Sequence, residues 1–152
     1  RQAFARAIAG IPGAKVVLDQ ALPRQEYLAL LADTKIGVAC YGAGFNSYRY
    51  WEIPYYGALL VAQPLPILIP NNFRHGQQAL FALTPQEMVE TIEQALADPV
   101  RSAEIARAGT LHLITHHLTV NRAQWVAQTM WMKSISLFAQ QWEVERWVQF
   151  PW

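Results

Sequence analysis

The sequence predicts an α/β fold with a parallel, doubly wound sheet, and three observations lead to this prediction. Short apolar runs rich in β-branched residues alternate with helix-like segments of about ten residues. Glycines and prolines stand at the borders between these segments, where turns are expected. The length of 152 residues is enough for one domain with a core of its own. Strands separated by helices of this kind pair in parallel, because each connection must cross the sheet.

Six helices are predicted from hydrophobic spacing and from signals at their ends. Asn46 or Ser47 can cap the third helix, and Gly57 ends it. Thr84 caps the fourth, and Glu87 completes a capping box three residues later. The predicted helices are residues 1–9, 23–32, 48–56, 85–96, 100–115 and 120–148. Strands are predicted between them at residues 14–18, 35–41, 58–62 and 78–82, with 67–69 as a further candidate.

The chain is predicted to divide into a sheet-containing domain, residues 1–118, and a long helical carboxyl-terminal segment, residues 119–152. Five of the six tryptophans follow residue 120. An apolar stripe at helical spacing consists of Trp131, Ile135, Phe138 and Trp142. A core-facing helix is the favoured interpretation of this stripe.

Charge and composition exclude several classes of function. The net charge of +1 gives no general attraction to nucleic acid or to acidic membranes, so no nucleic-acid partner is expected. Because Cys40 is the single cysteine, the chain cannot form an internal disulfide. This agrees with a location in the reducing cytoplasm, and a peripheral membrane role stays open. The apolar surroundings of Cys40 favour a buried, inert thiol. His112 and His116 have the spacing of zinc ligands on a helix but lack an acidic partner, so no metal is expected. A loop position exposed to solvent is favoured for His75 over contact with a ligand.

The candidate binding site is the segment that follows the strand at 35–41. Ligands of open parallel sheets bind beyond the carboxyl ends of the strands. Gly42 and Gly44 allow close approach of the backbone, and the helix that follows favours an anion at its start. Arg49 and Glu52 share one helix face and can hold phosphate and ribose hydroxyls. On spacing alone, a surface ion pair beside a structural glycine turn is the favoured interpretation.

A resemblance to a known family favours the binding site over the surface ion pair. The segment from Arg49 through Glu52 to Gly57 resembles the R-x-x-E-x-x-x-x-G signature of glycosyltransferase group 1 families, closest to the spore-maturation-protein-like and exostosin-like branch. Residues 72–81 are similar to the F-x-x-G-x-x-A turn and strand of that branch. Residues 96–99 with 105–109 are similar to its paired helices, and 116–122 to its closing histidine and arginine element. Residues 23–41 are similar to its preceding helix and strand, so the resemblance covers about residues 20–130.

The resemblance implies the donor-binding half of a glycosyltransferase with two Rossmann-like domains, of the GT-B type. Glu52 is then the expected ribose ligand, and Arg49 supports the phosphates or the loop. The loop residues expected to lie against the sugar or pyrophosphate are Gly42, Gly44, Phe45, Asn46, Ser47 and Tyr48. The donor is expected to be a nucleotide-diphosphate sugar, with no cofactor and with an acceptor that the sequence does not identify.

Two departures from the family pattern affect the expected activity. Gly44 stands where many relatives carry a second glutamate, so the donor sugar cannot be inferred. The family's phosphate clamp and first strand would precede Arg1, so we expect a fragment that is inactive without an amino-terminal domain. The aromatic stripe would then pack on that domain or drive self-association. Two other functions stay open. The chain could be a non-catalytic assembly module that docks a partner through this stripe, or a nucleotide-sugar epimerase of related fold.

Overall fold

The computed structural model describes residues 2–13, 16–17, 22–42 and 44–142, the side chains of 134–142 excepted. The predicted helices and three of the predicted strands occur among these residues. In chain order the elements are α1 (Gln2–Ala9), α2 (Arg24–Ala32), β1 (Ile36–Ala39), α3 (Tyr48–Tyr55), β2 (Leu59–Ala62), β3 (Leu80–Phe81), α4 (Pro85–Ala97), α5 (Pro99–His116) and α6 (Thr119–Trp142).

The three strands form one parallel sheet in the order β1-β2-β3. Ile36 of β1 pairs with Leu59 of β2, and Val61 of β2 pairs with Leu80 of β3. A parallel sheet accompanied by helices confirms the predicted fold class, an α/β Rossmann-like fold flanked by helices.

Helices cover both faces of the sheet, as a doubly wound fold requires. On one face, Leu59 and Val61 pack in the core with residues of α1 and α4. On the other face, a Cβ added to Gly37 would lie 2.6 Å from the Ile53 side chain, so α3 approaches β1 closely there. All four residues of β2 are buried, which explains why this strand reads as a continuous apolar run.

The end of α3 is fixed by backbone and side-chain hydrogen bonds. Gly57 has a φ of 84°, and its N–H donates to the carbonyl of Pro54 at 3.2 Å. The next N–H, from Ala58, donates to Ile53 at 3.2 Å. This left-handed glycine turn confirms the predicted helix stop. The hydroxyl of Thr110 in α5 also donates to the Pro54 carbonyl, at 2.8 Å, which ties α5 to α3.

The cap of α4 is confirmed in position and modified in detail. The Thr84 hydroxyl accepts a hydrogen bond from the Glu87 N–H at 3.1 Å. The Glu87 carboxylate accepts a hydrogen bond from the N–H of Leu83 at 2.8 Å. In a capping box this donor would be the N–H of Thr84, one residue later.

Two of the strand predictions are not confirmed. The candidate strand at 67–69 is wrong, because Pro66 and Pro70 enclose it and Asn71 follows with a φ of 55°, which gives a turn. Most of the strand predicted at 14–18 lies outside the described residues. Val16 and Val17, which are described, belong to no helix or strand.

The chain divides into two compact units, Arg1–Thr115 and His116–Trp152. In the second unit, the Leu118 N–H donates to the Asn121 side chain at 3.1 Å near the start of α6. Of the predicted aromatic stripe, only the Trp131 side chain is described, and it is 70% exposed. What the stripe packs against therefore stays a prediction. The predicted extension of the last helix beyond 142 lies outside the described residues. Within the described part of the chain, no helix has the length and apolarity needed to cross a membrane.

Candidate functional site

The candidate site lies at the carboxyl edge of the sheet, where β1 ends at Ala39 and α3 begins at Tyr48. The loop between them is anchored to the segment that follows β2. The N–H of Tyr41 donates to the Gln63 side chain at 2.9 Å, and the Tyr41 hydroxyl donates to the Pro64 carbonyl. The Phe45 ring packs edge-on against Tyr41 with centroids 5.4 Å apart. The loop is thus fixed at its base, beside the ends of two neighbouring strands.

The fold does not require glycine at the two loop positions Gly42 and Gly44. A Cβ added to Gly42 or Gly44 would meet no atom within 4 Å, and neither residue has a left-handed φ. Gly57 and Gly76 differ, since their φ values of 84° and 72° favour glycine. The loop glycines therefore leave open space over an exposed stretch of backbone. This finding argues against the structural glycine turn that spacing alone favoured.

The start of α3 is free of the predicted side-chain cap. Ser47 occupies the capping position with an extended backbone, yet its hydroxyl caps none of the described N–H groups. The Asn46 side chain instead accepts a hydrogen bond from the Trp51 indole at 2.9 Å. Phe45 and Tyr48 are 54% and 86% exposed. A helix start without a cap retains N–H donors and a positive dipole end that can face an anion.

Glu52 is held by two residues of α2 that sequence reasoning missed. The Tyr27 hydroxyl donates to Oε2 at 2.9 Å, and Arg24 Nη1 lies 2.9 Å from Oε1. The Glu52 side chain is 17% exposed, whereas Arg24 is 68% exposed. The ion pair of Glu52 is therefore with Arg24, in place of the predicted surface pair with Arg49. The hydrogen bond from Tyr27 is part-buried, whereas the Arg24 side chain is mostly exposed.

Arg49 lies beside the same group. Burial, the hydrogen bond to Glu52 and its negative charge raise the pKa of Tyr27 to about 12, and the nearby Arg49 lowers it in part. The Tyr27 hydroxyl therefore stays protonated at neutral pH and remains a donor to Glu52. Two arginines, a tyrosine and a carboxylate from α2 and α3 thus meet at one place. A usable signal existed, since Tyr27 belongs to the helix and strand that carry the family resemblance.

Behind the site, buried aromatic side chains fix α3 to the segment before β3. Tyr50 is 1% exposed, and its hydroxyl donates to the Asn72 side chain at 2.9 Å. Its ring contacts Trp51 and Phe73, with centroids 5.0 and 5.6 Å apart. Burial raises the pKa of Tyr50 to about 12. Tyr50 therefore supports the helix that carries Arg49 and Glu52.

The histidines contribute to structure. His75 Nδ1 accepts a hydrogen bond from the Phe81 N–H at 3.0 Å, which ties the turn before β3 to that strand. Nε2 of His112 lies 2.7 Å from the carbonyl oxygen of Asn71. Within the second unit, His117 Nδ1 lies 2.7 Å from Arg122 Nη2. No group of three potential metal ligands occurs in the described part of the chain, and Cys40 packs against the core.

A family model described as glycosyl transferase-like matches residues 2–128, which is most of the chain and contains the whole candidate site. No curated protein and no solved structure matches the chain. The match supports a general role in glycosyl transfer. It does not identify a branch of the family.

Proposed function

The chain belongs to the glycosyl transferase-like family, and on this premise we propose that it binds the nucleoside diphosphate part of a sugar donor. The reaction is transfer of the sugar from a nucleotide-diphosphate sugar to an acceptor. The nucleotide lies at the carboxyl edge of the sheet, over the loop after β1 and the start of α3. Ligands of open parallel sheets bind at this edge.

The open space at Gly42 and Gly44 is the observation that carries the proposal. Glycine in a loop increases the conformational entropy lost on folding, and here neither a close neighbour nor a left-handed φ requires it. A ligand that needs the backbone within contact distance would require it. Nucleotide phosphates bind in this way, through backbone N–H groups at the start of a helix.

Glu52 is the proposed ribose ligand. A carboxylate can accept hydrogen bonds from two neighbouring hydroxyls, and acidic residues do so in nucleotide sites of related architecture. Glu52 is the fifth of the eight residues of α3, about one turn after Arg49. The guanidinium of Arg49 can then hold phosphate oxygens on the same face of the helix. The uncapped helix start and Arg49 would stabilise the negative charge of the leaving diphosphate.

One observation favours the alternative function, a non-catalytic binding module. Both oxygens of Glu52 already have partners, Tyr27 and Arg24. A carboxylate in this state can brace α2 against α3 without binding any ligand. Each carboxylate oxygen can accept two hydrogen bonds, however, so the two partners leave acceptor capacity for a ribose.

Calorimetric titration of the chain with UDP, GDP and their sugar conjugates tests the proposal. Replacing Glu52 with alanine should lower the affinity by about tenfold to a hundredfold, because hydrogen bonds to a charged group contribute about 1.5–3 kcal/mol. Glu93→Ala is the matched control, since Glu93 is an exposed carboxylate on α4. Equal affinities of the Glu52→Ala variant and the unaltered chain would refute the assignment of Glu52. Thermal unfolding of both variants shows whether they are folded.

A further inference from the structure

We propose that Arg24 is an exchangeable partner of Glu52, which moves from the carboxylate to the diphosphate when a nucleotide binds. Tyr27 is the fixed partner that keeps the carboxylate in place during this exchange. The inference rests on the proposed function and adds two residues of α2 to it. It also explains how a carboxylate with two protein partners can serve a ligand.

The two hydrogen-bond partners of Glu52 differ in burial and therefore in strength. Tyr27 bonds Oε2 from a part-buried position, at 2.9 Å. Arg24 reaches Oε1 from a side chain that is 68% exposed. An exposed ion pair contributes only about 0–1 kcal/mol, because water and salt screen it. Displacing Arg24 therefore costs little, whereas displacing Tyr27 would leave a part-buried hydroxyl without its acceptor.

The exposed Arg24 is the partner of Glu52 that a ligand can displace most easily. Its guanidinium lies against Oε1, and the Glu52 side chain itself is only 17% exposed. A ribose hydroxyl that donates to Oε1 takes the place of the guanidinium. The freed arginine then lies beside a bound ribose, on whose 5′ side the diphosphate follows.

The charge around the carboxylate fits this exchange. Arg24 pairs with Glu52, and Arg49 lies near Tyr27, the other partner of this carboxylate, so two positive charges surround one negative charge. A diphosphate would supply the missing negative charge, and arginine binds phosphate oxygens with two parallel hydrogen bonds. After the exchange, Glu52 holds neutral hydroxyls and Arg24 holds an anion, so every charged group keeps a partner.

The exchange predicts different effects on nucleosides and on nucleoside diphosphates. In Arg24→Gln, the affinity for UDP or GDP should fall about tenfold, which corresponds to one charge-assisted contact. The affinity for uridine or guanosine should stay within about twofold or rise, because the arginine no longer competes for Glu52. Arg24→Lys should lose less of the diphosphate affinity, since it keeps the charge. Tyr27→Phe should weaken both ligand types equally and reduce the preference for ribose over 2′-deoxyribose.

The measurement is calorimetry for the diphosphates and ligand-observed NMR for the nucleosides, on the full 152-residue chain. Arg6→Gln is the matched control, because Arg6 is exposed on α1, away from α3 on the other face of the sheet. Equal losses for nucleoside and diphosphate in Arg24→Gln would overturn the exchange and make Arg24 a static brace. No change for either ligand would also overturn it. If the unaltered chain binds no nucleoside diphosphate, or if Glu52→Ala binds as well as it does, the proposed function itself fails.

Discussion

At the scale of single residues, the glycines of this chain separate into those that the fold needs and those that it does not. Gly57 and Gly76 have left-handed backbones, and Gly109 lies against another part of the chain. Gly42 and Gly44 have neither property. Sequence reasoning located the loop glycines but could not make this distinction, because φ and the distances to neighbouring atoms arise only when the chain folds.

Gly44→Ala tests the distinction directly. Because the backbone is compatible with alanine, this change should keep the free energy of unfolding or raise it by about 0.4–1 kcal/mol. The added methyl group should nevertheless weaken nucleotide binding, since it fills the space that the ligand needs. Denaturant unfolding and calorimetry measure the two effects. Gly10→Ala is a suitable control, because its Cβ would lie 3.5 Å from the Ala7 carbonyl in ordinary contact and away from the site. A destabilised Gly44→Ala variant would show that the fold requires this glycine.

Tyr50 gives a prediction about pH. The pKa of Tyr50 is about 12 in the folded protein, against 10.0 as the reference value. An unfolded chain releases this proton first, so the stability contributed by the neutral hydroxyl is complete below pH 10 and is lost between pH 10 and 12. The free energy of unfolding should therefore fall less steeply over this range in Tyr50→Phe than in the unaltered chain. Tyr48→Phe, at an exposed position, should follow the unaltered chain. Parallel pH profiles for all three proteins would show that Tyr50 titrates normally.

At the scale of secondary structure, end signals were more informative than propensity. Gly57 and Thr84 end and begin their helices as predicted, because each signal acts through hydrogen bonds within a few residues. The cap predicted for α3 was placed correctly, but its bond is absent among the described residues, since Asn46 bonds Trp51 instead. The Arg24 and Tyr27 contacts to Glu52 were missed, because they join helices that are separated by a strand.

The contact of α5 with the turn before β3 predicts a second glycine effect, opposite to that at Gly44. A Cβ on Gly109 would lie 2.4 Å from the carbonyl oxygen of Gln78, which is a backbone atom that cannot move alone. Gly109→Ala should therefore lower the free energy of unfolding by about 1–3 kcal/mol, the usual cost of overpacking. Chemical denaturation measures this, with Gly10→Ala as the same change at a position that has room. Unfolding midpoints that coincide in Gly109→Ala and the unaltered chain would contradict the close packing.

At the scale of the whole molecule, the α/β class and the parallel pairing followed from the alternation of elements. The strand order β1-β2-β3 follows the chain order. Helix α3 connects β1 to β2, whereas the connection from β2 to β3, residues 63–79, contains no helix. The environment of the aromatic stripe could not be predicted, because an amphipathic helix indicates that a face is apolar and not what covers it.

The claim that Glu52 recognises the ribose can be tested by a ligand-and-variant cycle. The affinities of the unaltered chain and of Glu52→Ala are measured for UDP or GDP and for the corresponding 2′,3′-dideoxynucleoside diphosphate. We predict that the unaltered chain prefers the ribose form by about tenfold or more, and that Glu52→Ala has no preference. An equal preference in both proteins, or the absence of nucleotide binding by the unaltered chain, would contradict the claim.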